Sequence, residues 1–204
     1  MNRVSLGLVA LALQWGPLVA NAALISADGG LVVDDPDANL MWSSNVAGVL
    51  ASPSAAQTWI SGLNASDYGG YNDWRLPTTV DSYPASAGTN PDQSSSEMAH
   101  LFYGELGQIS GSQITAVHSA DYSLFSGLSD NVFWSGTVYS ANPAYQWAFD
   151  PNNGSQYYVP ANGGASAALA VRSLNPVPLP ASAWLLLSGL GGLGFAGWRR
   201  RATQ

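Results

Sequence analysis

The chain of 204 residues contains no cysteine and no lysine. Without cysteine, disulfide scaffolds, zinc–cysteine sites and cysteine nucleophiles are excluded. Only six basic residues stand against 13 acidic ones, and a nucleic-acid binder needs clustered positive charge to displace counterions, so nucleic acid is not expected as a partner. Charged residues make up only 9% of the chain, a low fraction that is typical of membrane proteins. The mean hydropathy of +0.05 nevertheless argues against several membrane spans.

The charges are unevenly distributed. All 13 acidic residues lie between Asp28 and Asp150, and only Arg75 and Arg172 carry positive charge within residues 23–174. The remaining arginines lie close to the two ends of the chain. A surface of this kind attracts cations and repels anionic polymers.

The first 22 residues have the pattern of a secretory signal peptide. Arg3 precedes a short apolar run over residues 4–13, and Ala20-Asn21-Ala22 fits the small-x-small pattern of a cleavage site. The run is too short to span a bilayer. We therefore expect export, the alternative being a buried N-terminal helix.

The C-terminal end predicts a linker and an anchor. Residues 175–180 are rich in proline and do not favour a helix. Residues 181–198 contain no charge and, as a helix, would extend over about 27 Å, close to the thickness of a hydrocarbon core. Residues 181–204 are thus predicted to be a transmembrane helix with a cytoplasmic tail of Arg199, Arg200 and Arg201.

This order of a proline motif, an apolar helix and an arginine cluster resembles the PEP-CTERM sorting signal. The motif here is Val177-Pro178-Leu179-Pro180, with leucine in place of the eponymous glutamate. The resemblance implies an exosortase-type processing enzyme as partner, a transient inner-membrane anchor, and release to the cell surface or extracellular matrix of a Gram-negative bacterium. A permanent single-pass anchor is the alternative.

Residues 23–174 predict one α+β domain with two helices, short antiparallel strands and long loops. Ser52-Pro53 predicts the start of a first helix that Asn64 can end, and Ser94 with Glu97 has capping-box spacing for a second. The apolar stripe of that second helix is Met98, Leu101, Phe102, Leu106 and Ile109. Strands are predicted at 31–33, 40–42, 132–134 and 168–172, and a hairpin closes around the turn at 150–155.

The stretch Gly69-Gly70-Tyr71-Asn72-Asp73-Trp74-Arg75-Leu76-Pro77-Thr78 resembles the signature of the Lcl C-terminal-like domain. Matching segments include 30–35, 40–42, 97–102, 134–137 and 170–172. The resemblance implies a C-type-lectin-like fold, export and, in adhesin members, glycan binding. Separately from the resemblance, we interpret the following residues as structural: Asp73, Trp74, Arg75, Leu76, Pro77, Trp134 and Arg172.

Arg75 has apolar neighbours, so we expect a partly buried guanidinium bonded as a fork to a carboxylate or to carbonyls. It would hold the loop after the first helix against the sheet. The alternative role is a ligand contact, and both readings apply equally to Arg172.

The chain shows little sign of catalytic or metal chemistry. Asp35 to Asn39 begins like a calcium loop, but Leu40 and Val46 stand where glycine and glutamate are needed. His100 and His118 lack metal-site spacing, and no cofactor or metal site is predicted, although calcium elsewhere on the acidic face stays open. Glu97 and Glu105, eight residues apart on the second helix, are interpreted as a solvated face rather than a glycosidase pair.

Aromatic residues give the better indication of function. Six tyrosines lie in or beside loops rich in asparagine, aspartate and glycine: Tyr68, Tyr71, Tyr139, Tyr145, Tyr157 and Tyr158. All but Tyr68 are candidate glycan contacts, the alternative being hairpin packing. The sequence thus predicts a non-enzymatic surface or matrix protein that binds neutral polysaccharide. A carbohydrate hydrolase and a structural matrix protein without a defined ligand are the alternatives.

Overall fold

A computed structural model describes residues 23–81, 88–89 and 93–174. Within these ranges the chain forms ten strands, two α-helices, three short 3₁₀ turns and one π-helical turn, so the α+β prediction is confirmed. The predicted signal peptide, proline linker and transmembrane helix lie outside the described residues. Within them, no helix has the length and apolar character that crossing a membrane requires.

The first sheet contains four strands in the order β1-β2-β3-β10, all antiparallel. Trp42 of β3 lies opposite Val33 of β2 on one side and Val171 of β10 on the other. The two predicted early strands are therefore neighbours. The strands are β1 (Ile25–Ala27), β2 (Val32–Asp35), β3 (Leu40–Ser43) and β10 (Val171–Ser173).

The second sheet contains six strands in the order β4-β9-β6-β7-β8-β5. All its pairs are antiparallel except β6 with β9, which is parallel and departs from the predicted all-antiparallel pattern. The predicted hairpin is confirmed as β7 and β8. The strands are β4 (Ala47–Leu50), β5 (Gly88–Thr89), β6 (Phe133–Val138), β7 (Tyr145–Asp150), β8 (Ser155–Pro160) and β9 (Ser166–Ala168).

The prediction of a single closing strand over residues 168–172 is wrong. β9 ends at Ala168 in the second sheet, and β10 begins at Val171 in the first. The intervening Leu169 and Ala170 are fully buried. Because the run is apolar throughout, its pattern gave no sign of the point where the backbone leaves one sheet and joins the other.

Two hydrophobic cores lie on opposite faces of the strands. Adjacent residues of one strand enter different cores, as Phe133 and Trp134 do in β6 and Met41 and Trp42 do in β3. Because successive side chains of a strand point to opposite faces, these strands are buried on both sides. One core packs against the first helix and the other against the second.

The first helix, α1 (Pro53–Ala65), begins as predicted. The Oγ atom of Ser52 accepts a hydrogen bond from the amide of Ala55 at 3.2 Å, and proline occupies the first helical position. Ala56, Ile60 and Leu63 face one core. The side chain of Asn64 does not end the helix but turns to the signature segment.

The second helix differs from its prediction. Its N-cap is Ser96, whose Oγ accepts from the amide of Ala99 at 3.1 Å, so the predicted capping box at Ser94 is wrong. After α2 (Glu97–Ala99), residues His100–Glu105 continue as a π-helical turn. The last member of the predicted apolar stripe, Ile109, is 59% exposed, because the helical turns end before it.

Candidate functional site

The signature segment is fixed by its backbone and by Trp74. The side-chain amide of Asn64 donates to the Trp74 carbonyl at 3.0 Å and accepts from the Trp74 amide at 2.8 Å. The Trp74 indole donates to the carbonyl of Tyr68 at 3.0 Å. One residue on, the amide and carbonyl of Arg75 pair with Val171 of β10, both at 2.9 Å. The segment therefore joins α1 to the edge of the first sheet.

Arg75 forms the fork-like ion pair expected from the sequence, and its partner is Glu97. The two guanidinium–carboxylate bonds measure 2.7 and 2.6 Å, and the Thr78 amide donates to the same carboxylate at 2.8 Å. The Arg75 side chain is 42% exposed and that of Glu97 is 19% exposed. The guanidinium thus ties the signature to the start of α2, whereas it is the backbone of Arg75 that bonds to the sheet.

The environment of Glu97 favours its charged form. Burial by itself would raise the pKa of this carboxyl. The hydrogen bonds from Arg75 and Thr78, together with the positive charge of Arg75, outweigh burial and hold the pKa below its ordinary value. Glu97 is therefore not part of a solvated face, and that interpretation was wrong for it.

Arg172 is the more deeply buried of the two arginines, at 3% exposure. Its guanidinium donates two bonds, of 2.5 and 3.1 Å, to the carboxylate of Asp73. It also lies 4.0 Å from the centroid of the Tyr71 ring and 3.7 Å from the sulfur of Met41. Tyr71 is therefore engaged in a cation–π contact.

The segment around Trp134 packs directly on the signature. The amide of Gly136 donates to the carbonyl of Pro77 at 2.8 Å. A Cβ atom on Gly136 would lie only 3.0 Å from the carbonyl oxygen of Leu76, so close approach explains the glycine. The hydroxyl of Thr137 donates to the Thr79 carbonyl at 3.1 Å. The two sequence motifs thus form one structural unit.

A second feature, absent from the sequence analysis, is a cluster of Asp35, His100 and Glu105. The Nε2 atom of His100 lies 3.3 and 3.2 Å from the two carboxylate oxygens of Asp35 and 3.4 Å from Oε1 of Glu105. Asp35 has no exposed surface, and the Glu105 side chain is 3% exposed. The prediction of a solvated face is therefore wrong for Glu105 as well.

The three groups of this cluster have perturbed pKa values. Burial, followed by the charge of Asp35, raises the pKa of Glu105 to about 7. The hydrogen bond to Asp35 is the main reason that the pKa of His100 lies above its ordinary value. For Asp35 burial acts to raise the pKa, but hydrogen bonds from His100 and Trp42 lower it overall.

The cluster of Asp35, His100 and Glu105 was not predicted from the sequence because it depends on the π-helical turn. In an α-helix, residues five apart differ by about 140° in direction, which would separate His100 from Glu105. The wider turn, in which the Leu106 amide donates to the Leu101 carbonyl at 2.8 Å, brings them to the same side. The sequence did contain one indication that Asp35 is buried. Asp35 follows Val33 of a predicted strand by two residues, and side chains two apart on a strand lie on the same face.

His100 also lines a cavity of about 370 Å³ beside the cluster. Its other walls come from the β2–β3 connection, the signature and the segment before α2. Most of these lining groups are polar, and they include the carboxylate-bearing Glu97. The lining residues are Asp37, Ala38, Leu40, Thr78, Gln93, Ser94, Ser95, Ser96, Glu97 and His100.

A third feature is a cluster of aromatic rings at one end of the second sheet. Tyr139 stacks on Tyr158 with ring centroids 4.2 Å apart and planes inclined by 10°. Tyr145 approaches Tyr158 edge-on at 5.3 Å. Beneath them lies buried Trp147, whose indole donates to Asp81 at 2.7 Å. The three tyrosines are each partly exposed, and we call them the tyrosine cluster.

The other two candidate tyrosines lie elsewhere. Tyr157 pairs with Ala148, one register position away from the pair of Trp147 and Tyr158, so its side chain projects from the opposite face of the sheet. Tyr71 lies under the guanidinium of Arg172. The structure thus brings together only Tyr139, Tyr145 and Tyr158 of the five candidates.

A family model matches most of the described domain. Residues 31–172 match the Lcl C-terminal domain, and the chain belongs to that family. Residues 176–201 match the PEP-CTERM protein-sorting motif, which makes the protein an exported substrate of exosortase with a transient membrane anchor. A search of curated proteins finds no matching relative.

Proposed function

We propose that the protein is a non-enzymatic component of the cell surface or extracellular matrix that binds neutral polysaccharide through the tyrosine cluster. The observation that carries this proposal is the set of three adjoining, partly exposed rings of Tyr139, Tyr145 and Tyr158. The C-type-lectin-like fold expected from the resemblance is part of the same proposal. It accords with two helices packed on short strands.

Tyrosine suits such a surface for two reasons. Its ring offers a flat apolar face to the C–H face of a sugar, and its hydroxyl can exchange hydrogen bonds with sugar hydroxyls. Ring–ring packing also limits the rotamers that must be ordered on binding, which reduces the entropic cost. Exposed Asn142 lies in the loop that joins Tyr139 to Tyr145, and its backbone amide and carbonyl bond to these two residues.

Charge supports a neutral ligand. The two arginines among the described residues are both engaged with carboxylates, Arg75 with Glu97 and Arg172 with Asp73. All 13 acidic residues lie in or near the same domain. A sulfated or uronic acid polymer would be repelled by this field.

The test is a glycan array probed with the purified full-length chain in mild detergent, in the presence of calcium and of chelator. We expect retention of neutral glycans, with at least a tenfold loss of affinity for Tyr139→Ala and Tyr158→Ala, equivalent to about 1.4 kcal/mol. Tyr157→Ala, on the opposite face of the same hairpin, is the matched control and should bind like the wild type. Equal loss in all three variants, or no retained glycan, contradicts the proposal.

The cavity beside His100 is the observation that favours a carbohydrate hydrolase instead. A retaining or inverting glycosidase needs two carboxyl groups that face the scissile bond. Here Glu97 is held by Arg75, while Asp35 and Glu105 are buried, which argues against this alternative. Release of reducing ends from any glycan that the array identifies would favour the hydrolase, and a chain that retains no glycan would favour a structural matrix role.

A further inference from the structure

We propose that Asp35, His100 and Glu105 bind a divalent transition-metal cation, of which Zn²⁺ and Mn²⁺ are the representative members. This inference is independent of polysaccharide binding at the tyrosine cluster. It rests on the mutual distances of the donor atoms, on the way each side chain is oriented, on the charge that they bury and on an adjacent cavity.

The donor atoms are spaced as metal ligands are. For metal–ligand bonds of about 2.1 Å, neighbouring ligand atoms lie about 3.0 Å apart at octahedral angles and about 3.4 Å apart at tetrahedral angles. The Nε2 atom of His100 lies 3.2 Å from Oδ2 of Asp35 and 3.4 Å from Oε1 of Glu105. One donor atom from each of the three residues lies within 4.8 Å of the other two. A cation can therefore contact all three with small adjustments.

The carboxylate of Asp35 is held in a fixed orientation by neighbours on its own strand pair. The Trp42 indole donates to Oδ2 at 3.1 Å, and the Ala38 amide donates to Oδ1 at 3.2 Å. Hydrogen bonds of this kind to a ligating carboxylate are typical outer contacts of metal sites. The remaining lone pairs of both oxygens face Nε2 of His100, and a cation that replaces the Nε2 proton would take the place of that hydrogen bond.

The backbone of the π-helical turn also orients two of the three side chains. The π-helical turn over His100–Glu105 costs regular α-helical hydrogen bonds, and such turns are frequent at functional sites. Here the turn places the imidazole and the second carboxylate on one side of the helix, facing Asp35 of β2. A regular α-helix would have directed one of the two side chains elsewhere.

Charge points to a cation of charge two. The cluster buries two carboxyl groups against a single imidazole, and Asp37 adds to the negative field on both His100 and Glu105. A divalent cation with two carboxylates and a neutral imidazole has no net charge, which lowers the cost of burying the acids. Of the three residues only His100 lines the cavity of about 370 Å³, so a cation would enter from the side of the imidazole.

The donor set selects the class of metal. One imidazole nitrogen with two carboxylates suits Zn²⁺ and Mn²⁺, whereas Ca²⁺ prefers six to eight oxygen ligands. Thiolate-dependent metals are excluded, because the chain has no cysteine.

The experiment uses the full-length chain in mild detergent, stripped with chelator and dialysed. Calorimetric titration with Zn²⁺ and with Mn²⁺ should show one equivalent bound, and Co²⁺ should give visible absorption bands. The variants His100→Gln and Glu105→Gln should bind at least tenfold more weakly. His118→Gln is the control, because His118 lies on Tyr122 with ring centroids 4.2 Å apart and should bind as the wild type does.

Near-UV circular dichroism will show whether the variants retain the tryptophan environment of the native fold. If a cluster variant does not fold, imidazole NMR of the wild-type chain decides instead, because Zn²⁺ should shift the ring signals of His100 and leave those of His118. The proposal is overturned if no stoichiometric uptake occurs, if Ca²⁺ alone is bound, if folded cluster variants bind like the wild type, or if His100 does not shift.

Discussion

The buried guanidinium of Arg172 is bonded to a carboxylate, that of Asp73, whose own side chain is 56% exposed. The pair is therefore asymmetric: loss of the arginine leaves a carboxylate that water can solvate, whereas loss of the aspartate leaves a buried cation. The two residues are far apart in sequence, so the pair ties the signature segment to the last strand.

Replacement of Asp73 with alanine should be strongly destabilising. The guanidinium of Arg172, at 3% exposure, would keep its contacts with Tyr71 and Met41 but lose its counter-charge. Breaking a fully buried pair costs about 3–5 kcal/mol, and since Asp73 is exposed we expect about 2–3 kcal/mol in urea unfolding. Asp121→Ala, which removes an acid that pairs with neither described arginine, is the control and should change stability by less than about 0.5 kcal/mol.

Replacement of Arg75 with alanine tests the second ion pair. Solvent screens a guanidinium that is 42% exposed, so we expect a loss of only about 1–2 kcal/mol, with part of it due to the unpaired carboxylate of Glu97. Arg75→Lys should recover little, because an ammonium cannot form the fork. An unchanged melting temperature for Arg75→Ala would show that the pair does not fix the signature.

The lowered pKa of Glu97 gives a pH dependence of defined sign. The carboxyl releases its proton more readily in the folded than in the unfolded chain, so its charged form stabilises the fold. This contribution is complete above the ordinary pKa of about 4.3 and disappears as the pH falls through the lower folded value. The stability difference between wild type and Glu97→Gln, measured by urea unfolding, should be constant from pH 7 to about 5 and shrink below. A difference that grows on acidification would contradict the assignment.

A side chain at position 154, which is Gly154 in the turn between β7 and β8, should destabilise the fold. The φ of Gly154 is +74°, and a Cβ atom would lie 1.9 Å from the hydroxyl oxygen of Tyr103, which donates to the Gly154 carbonyl at 2.7 Å. Gly154→Ala is expected to lower the free energy of unfolding by about 1–3 kcal/mol. Gly163→Ala, with no atom within 4 Å of its Cβ position, is the matched control. Equal stability of the two variants would refute this account.

Local signals predicted the elements that depend on local chemistry. Ser52 and Pro53 marked the start of α1, and the turn residues at 150–155 marked the hairpin of β7 and β8. The elements that depend on packing were not predictable in this way. Period counting assumes a regular α-helix, so it could not show the π-helical turn or the cluster that this turn assembles.

The site residues also divide into features that local sequence predicts and features that depend on packing. A guanidinium among apolar neighbours needs a counter-charge, so a partner for Arg75 could be expected, but nothing local identified Glu97 as that partner. The five tyrosines have similar neighbours in the sequence, but their positions depend on the fold. The alternation of side chains along β8 places Tyr157 and Tyr158 on opposite faces of the sheet, whereas Tyr71 lies in the signature segment with the guanidinium of Arg172 over its ring.

The end of the domain has a bearing on how the protein leaves the membrane. Leu174 donates its amide to the carbonyl of Asn39 at 2.9 Å, after β10 has completed its pairing with β3. The sorting motif begins only at Val177. Cleavage at that motif would remove none of the described strands, so the pairing of β10 with β3 would outlast the loss of the membrane anchor.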